Sequence, residues 1–332
     1  MSSMKILYAG SPEASALTLK ILLEKSAECG FEIAGVLSNP PSAKGRHKEL
    51  TPTAVAAFAQ EKGIPVFTPE HLDGAARDAI LPLGCEMLVC FAYGHIFGPK
   101  FLGMFKYGGI NLHPSLLPLY RGSTPVNAAI LNGDKETAAT IQTLGLKMDE
   151  GDIVAQEKIE LSGAETAESL LNYAAERGAH LICDVLKKVC DGKENLVCEK
   201  DGVNQLNFGK AQEGTPSYTG MIKKEDGKIN WNDSAKKIEA AVRAFYPEPG
   251  CFCIEKGLTL RILKSSVSEK SDSQYESVAV GTVVEFDKSE GILIKTGNGL
   301  LCVKELQRQG KKAMNYKDFM NGARDFTGTV LY

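Results

Sequence analysis

INLHPSLLPLYRG, residues 110–122, runs from a strand into a turn that stops it. On a strand, residues i and i+2 share one face roughly 6–7 Å apart, so Asn111 and His113 point together and Leu112 turns to the core. Pro114 disfavours helical backbone at the residue before it and keeps His113 extended. The segment PSLLP is too constrained to continue the strand, and Leu117–Pro118 is a candidate cis peptide bond. Arg121-Gly122 then supplies a cation and a flexible turn before Pro125 opens a helix, VNAAILNG.

Outward from this stretch the chain alternates strands and helices. Met4 to Gly10 reads as a buried strand, Ser11-Pro12 opens a helix to about Ser26, and Phe31 to Ser38 is a second strand. Thr51-Pro52 starts a helix that stops at Gly63, and strand-like runs recur at 65–67, 87–92, 110–113, 138–144 and 153–159. Connections of helical length predict an α/β domain with a Rossmann-like, mostly parallel, doubly wound sheet. Leu170, Ala174, Leu181, Val185 and Val189 follow Thr166 at near-helical spacing and close it with a long helix. In such sheets ligands sit beyond the carboxyl ends of the strands, where Asn111 and His113 would lie.

Residues 191–218 carry Gly, Asn, Gln and Pro without periodicity and read as a linker. Past it come a helix-like stretch, Ser234 to Phe245, and short β-type runs with Gly turns, a pattern that fits a small OB-like open barrel. Residues 265–277 (SSVSEKSDSQYES) read as a solvated loop. The expected division is therefore a catalytic domain over 1–190, a linker over 191–218 and a small β-barrel domain over 219–332.

Composition fits this reading. A chain of 332 residues with 43% hydrophobic and 24% charged residues is too long for one core and too apolar for disorder. Nine scattered cysteines without a CxxC pair indicate neither a disulfide framework nor zinc. MSSMKILYAG is a first strand rather than a secretory leader, and no apolar run reaches spanning length, so the expected location is cytoplasmic, with no membrane partner. The net charge is −3, yet residues 219–332 hold 18 Lys plus Arg against 15 Asp plus Glu, so the tail is basic and the body acidic. A polyanionic partner is permitted but not required.

An amide and an imidazole presented together suit a carbonyl carbon under attack: the amide donates to the developing oxyanion and the imidazole donates or shuttles a proton. An isolated NxH is more often a hydrogen-bonded strand-end pair without chemistry. Downstream, LKMDEGDIV brings Asp149 before the next strand, where a carboxylate could orient the imidazole; alone, MDEGD is an acidic turn. AGSPEAS, residues 9–15, lacks GxGxxG, which disfavours NAD and an oxidoreductase. No cluster of metal-ligand residues stands out, so no metal is expected.

Taken together, NLHPSLLPLYRGSTP followed by MDEGD resembles the folate-dependent formyltransferases. YAGSPEAS, LVCFAYGHIF, INWNDSAKKIEAAVRAFYPEPG and LQRQGKKAMNYKDFMNG extend the resemblance over nearly the whole chain, to the branch acting on methionyl-tRNA. It implies 10-formyltetrahydrofolate as donor, the α-amine of initiator methionyl-tRNA as acceptor, direct transfer, and catalytic roles on Asn111, His113 and Asp149. It places the folate at Ser115, Leu116, Leu117 and Pro118, with the backbone around Phe91, Tyr93 and Gly94 lining the pterin pocket; His95 reads as loop scaffold. The inserted loop SAKGRHKEL would grip the acceptor end of the tRNA through Lys44, Arg46 and Lys48, and Lys311 and Lys312 are further candidate phosphate contacts. A monomer is expected. Three departures from the family pattern stand out: Pro114, Glu248 in FYPEP where an aromatic is usual, and Met221 where a lysine is common. Two rivals remain, a same-fold formyltransferase acting on a small amine and a non-catalytic RNA-binding protein.

Overall fold

The computed structural model describes residues 3–44, 49–192 and 196–332. β1 (Met4–Gly10), α1 (Glu13–Cys29), β2 (Phe31–Leu37), β3 (Ser42–Lys44) and β4 (Glu49–Thr51) open the chain. α2 (Ala54–Glu61), β5 (Val66–Phe67), α3 (Gly74–Ile80), β6 (Met87–Phe91), α4 (Pro99–Leu102) and β7 (Gly109–His113) follow. Next come β8 (Arg121–Gly122), α5 (Pro125–Asn132), β9 (Glu136–Thr143), β10 (Ile153–Glu160) and α6 (Ala167–Asp191). After them lie β11 (Val197–Lys200), β12 (Val203–Leu206), β13 (Tyr218–Thr219), α7 (Ala235–Ala244), β14 (Cys251–Glu255) and β15 (Leu258–Val267). β16 (Val283–Asp287), β17 (Gly291–Lys295), β18 (Leu300–Arg308), β19 (Met314–Asn315) and α8 (Tyr316–Asn321) finish it.

Two units form. One takes residues up to Pro125, Glu136–Glu160 and Leu171–Thr219; the other takes Val126–Lys135, Leu161–Leu170 and Gly220–Tyr332. The first is built on a seven-stranded sheet in the order β10-β9-β7-β6-β1-β2-β5. From β7 to β5 all neighbours are parallel, whereas β9 and β10 run antiparallel. All of β6 and all of β1 except Lys5 are buried, as parallel strands covered on both faces must be. Because β1 pairs with both β2 and β6, the chain leaves to one side and returns to the other, which opens a crevice at the carboxyl ends.

α6 covers the back of β7. A Cβ on Gly178 would meet Leu112 Cδ1 at 2.4 Å, so a larger residue there would displace the Leu112 side chain or the helix. Leu112 therefore anchors the strand from behind and leaves Asn111 and His113 to the opposite face. Along α6, Ile182 is buried rather than Leu181, one position off the spacing read from sequence. Within the stretch read as a linker, β11 and β12 form a hairpin, and Val203 packs into the core with Phe97, Phe101 and Phe105.

In the second unit a mainly antiparallel sheet runs β14-β15-β18-β17-β16, with β19 added to β18. Ser234 Oγ caps α7 by accepting from Lys237 N at 3.2 Å, and Ile238 and Val242 of that helix are buried. Leu260, Ile262, Leu301, Val303 and Leu306 fill the core. Ser265 to Val267 are strand rather than loop, paired with Val303, Cys302 and Leu301. Backbone pairing in a central strand overrides the weak strand preference of two serines.

Candidate active site at the carboxyl ends of the sheet

β7 delivers Asn111 and His113 at the rim, with Asn111 in register between Cys90 and Gln142. The turn that follows satisfies itself. Ser115 N donates to His113 O at 2.9 Å, Ser115 Oγ to Leu119 O at 2.6 Å, and Thr140 Oγ1 to Ser115 O at 2.6 Å. The Leu117–Pro118 bond is cis. This turn brings the Tyr120 carbonyl 2.9 Å from His113 Nε2. A carbonyl only accepts, so Nε2 carries a proton and the other nitrogen, Nδ1, is left for chemistry. Nδ1 faces Asp149 Oδ1 at 3.6 Å, too far for a direct hydrogen bond. His113 is 4% exposed and its ring so held in place, while the Asn111 amide has no hydrogen-bond partner among the described residues.

Asp149 lies in the loop between β9 and β10, in the left-handed region at φ 54°. Its Oδ2 accepts from Gly122 N at 2.8 Å and its Oδ1 from Gln142 Nε2 at 2.7 Å. Gly122 has φ 111°, and a Cβ there would stand 2.2 Å from Thr219 O, so the Arg-Gly of the opening stretch requires its glycine. Arg121 donates to Gln212 Oε1 from Nε at 3.1 Å and from its NH2 nitrogen at 2.8 Å. Gln142, Gln212 and this use of Arg121 were not read from sequence; Arg121 alone left a signal, as a cation beside a turn. Burial pushes the Cys90 thiol up to about 12, which removes it as a nucleophile beside Asn111.

The other sequence-derived candidates divide. Phe91 and Tyr93 bury their rings, Tyr93 stacking on Phe97 at a centroid distance of 5.5 Å, and burial pushes the Tyr93 hydroxyl up to about 12. What this segment offers a ligand is main chain, at Ala92 (φ 52°) and Gly94 (φ 87°). Leu117 is buried in the core, whereas Leu116 and Pro118 keep surface for a ligand. His95 is exposed on the same loop, 5.1 Å from the Tyr93 ring. Lys44 closes β3; Arg46 and Lys48 lie outside the described residues. In the second unit Lys311 and Lys312 are exposed near a groove of about 740 Å³ lined by Lys224, Glu248, Phe252, Arg261, Arg308 and Gln309. Glu248 stands 3.9 Å from Arg261, and Met221 is exposed. Among the described residues no three His, Cys, Asp or Glu side chains gather as a metal site, and no helix is long and apolar enough to cross a membrane.

The formyl transferase family matches residues 4–186, and its C-terminal domain matches residues 221–324. The chain is 41% identical over 333 residues to the methionyl-tRNA formyltransferase of Treponema denticola, covering 97% of this chain and 98% of that one. The fold is also that of the Clostridium thermocellum methionyl-tRNA formyltransferase, with TM-score 0.54, 17% identity and coverage of 81% and 95%. An N-formyltransferase from Helicobacter canadensis, in complex with folinic acid and dTDP-3-aminofucose, superposes with TM-score 0.60 at 18% identity, covering 92% of this chain and 99% of that one. With both domains matched and a full-length relative at this identity, the chain belongs to the formyl transferase family, and within it to the methionyl-tRNA formyltransferases, enzymes of one-carbon group transfer.

Proposed function

We propose that the chain transfers the formyl group of 10-formyltetrahydrofolate to the α-amine of initiator methionyl-tRNA, with Asn111, His113 and Asp149 as its catalytic residues. The observation that carries this reading is His113: Nε2 is held by the Tyr120 carbonyl while Nδ1 faces Asp149, on the strand face where the Asn111 amide is unengaged. The amine lone pair forms a C–N bond to the formyl carbon, and the carbonyl electron pair moves to oxygen. Asn111 and protonated His113 donate to that oxygen. The C–N10 bond then breaks, and the amine proton passes through water beside Asp149 to folate N10. No covalent enzyme intermediate is needed.

The folate binding expected of Ser115, Leu116, Leu117, Pro118, Phe91, Tyr93 and Gly94 rests on main chain at 92–94 and on the half-buried Leu116 and Pro118. The folinic acid bound by the Helicobacter canadensis relative supports a folate in this family. Residues 219–332 serve as the tRNA-binding domain in this reading, Lys311 and Lys312 with them, and Lys44, Arg46 and Lys48 contact the acceptor end; such phosphate contacts position the RNA without reading its bases. The test is to incubate the enzyme with 10-formyltetrahydrofolate and charged initiator or elongator tRNA, then assay formyl-methionine after deacylation. Formyl-methionine on initiator tRNA supports the reading; formylation of small amines instead would assign the chain to the rival branch.

A further inference from the structure

Gln212 sits in the stretch that sequence alone makes a linker, yet it spans the loop that carries Asp149. Its Nε2 donates to Asp149 O at 2.9 Å and to Gly151 O at 2.8 Å, one carbonyl on each side of Glu150. Its Oε1 takes two hydrogen bonds from Arg121, whose remaining nitrogen reaches the Tyr218 hydroxyl at 3.1 Å and Glu150 Oε1 at 3.4 Å. A non-glycine residue in left-handed backbone costs energy and persists only where its surroundings over-determine it. Here the over-determination comes from one side chain that ties both flanks of the turn and is itself fixed by a buried guanidinium.

We infer that Gln212 is a positioning residue, which sets Asp149 toward His113 Nδ1 by holding the Asp149–Gly151 backbone. The inference rests on the proposed participation of Asp149 in transfer. It assigns a part in the reaction to residues of the 191–218 stretch that neither strand pattern nor motif marks.

The experiment measures kcat and KM for both substrates in Gln212→Met, Gln212→Glu, Asp149→Asn and the Gln212→Met/Asp149→Asn double variant. Misplacing a reacting group by about an ångström costs up to roughly 100-fold, so Gln212→Met should lower kcat about 10- to 100-fold with each KM within about twofold. Gln212→Glu keeps the acceptor for Arg121 and loses both donations, so it should lose a similar factor even if Gln212→Met folds poorly. On the Asp149→Asn background the further loss should shrink to less than about threefold, because the two residues act as one unit. Full multiplication of the two losses, or wild-type kcat in Gln212→Glu, overturns the inference. Loss in Asp149→Asn with full turnover in Gln212→Met overturns it alone. Retained turnover in Asp149→Asn overturns the reading of Asp149 and the inference together.

Discussion

Asp149 Oδ1 stands 3.6 Å from His113 Nδ1 while the other carboxylate oxygen is fixed by the Gly122 amide at 2.8 Å. The carboxylate is thus aimed by a glycine of the turn that follows the histidine strand. Strand, turn and acidic loop lock one another, and a change in any of them should be felt at the same ring nitrogen.

Asp149→Asn keeps size, can be held by Gly122 through its carbonyl oxygen and can donate to Gln142 once that amide turns over, but it loses the charge facing Nδ1. Steady-state assays should show kcat falling about 10²- to 10⁴-fold with little change in thermal midpoint. A loss of stability in step with activity would point to a structural role instead.

Asn111→Ala removes the unengaged amide. Removing one oxyanion donor costs about 10²- to 10³-fold in kcat, and folate affinity measured by titration should stay nearly constant. Because the amide makes no hydrogen bond among the described residues, the variant should unfold at the wild-type denaturant midpoint.

Gly122→Ala places a Cβ 2.2 Å from Thr219 O at a φ of 111°. Strain of this kind costs roughly 1–3 kcal/mol, readable in urea unfolding. Relief by backbone movement would carry away the donor to Asp149, so activity should fall further than stability alone explains.

Arg46→Ala tests the basic loop. Loss of one phosphate contact should weaken tRNA binding and reduce the slope of log affinity against log salt by about one, with turnover at saturating tRNA preserved. An unchanged slope would remove Arg46 from the RNA contact.

The opening stretch was legible because its information is local. Two-residue alternation put Asn111 and His113 on one face, and the prolines ended the strand where it does end, at His113. The mostly parallel sheet followed from the helical length of its connections. That β9 runs against β7, and β10 against β9, was not legible, since strand polarity within a sheet is a property of pairing rather than of either strand's residues. Gln212 was missed for a related reason: its partner Asp149 lies 63 residues away, and a lone glutamine in an aperiodic stretch carries no local signature. Val203 and Leu206 were hidden by the shortness of their four-residue strand.

His113→Ala tests the central claim most directly, through single-turnover formylation of saturating methionyl-tRNA with folate affinity measured in parallel. The imidazole acts at the transition state in this account, so the chemical step should slow by orders of magnitude, on the scale of about 10²- to 10⁴-fold, while folate affinity shifts little. A variant that formylates at the wild-type rate would contradict it.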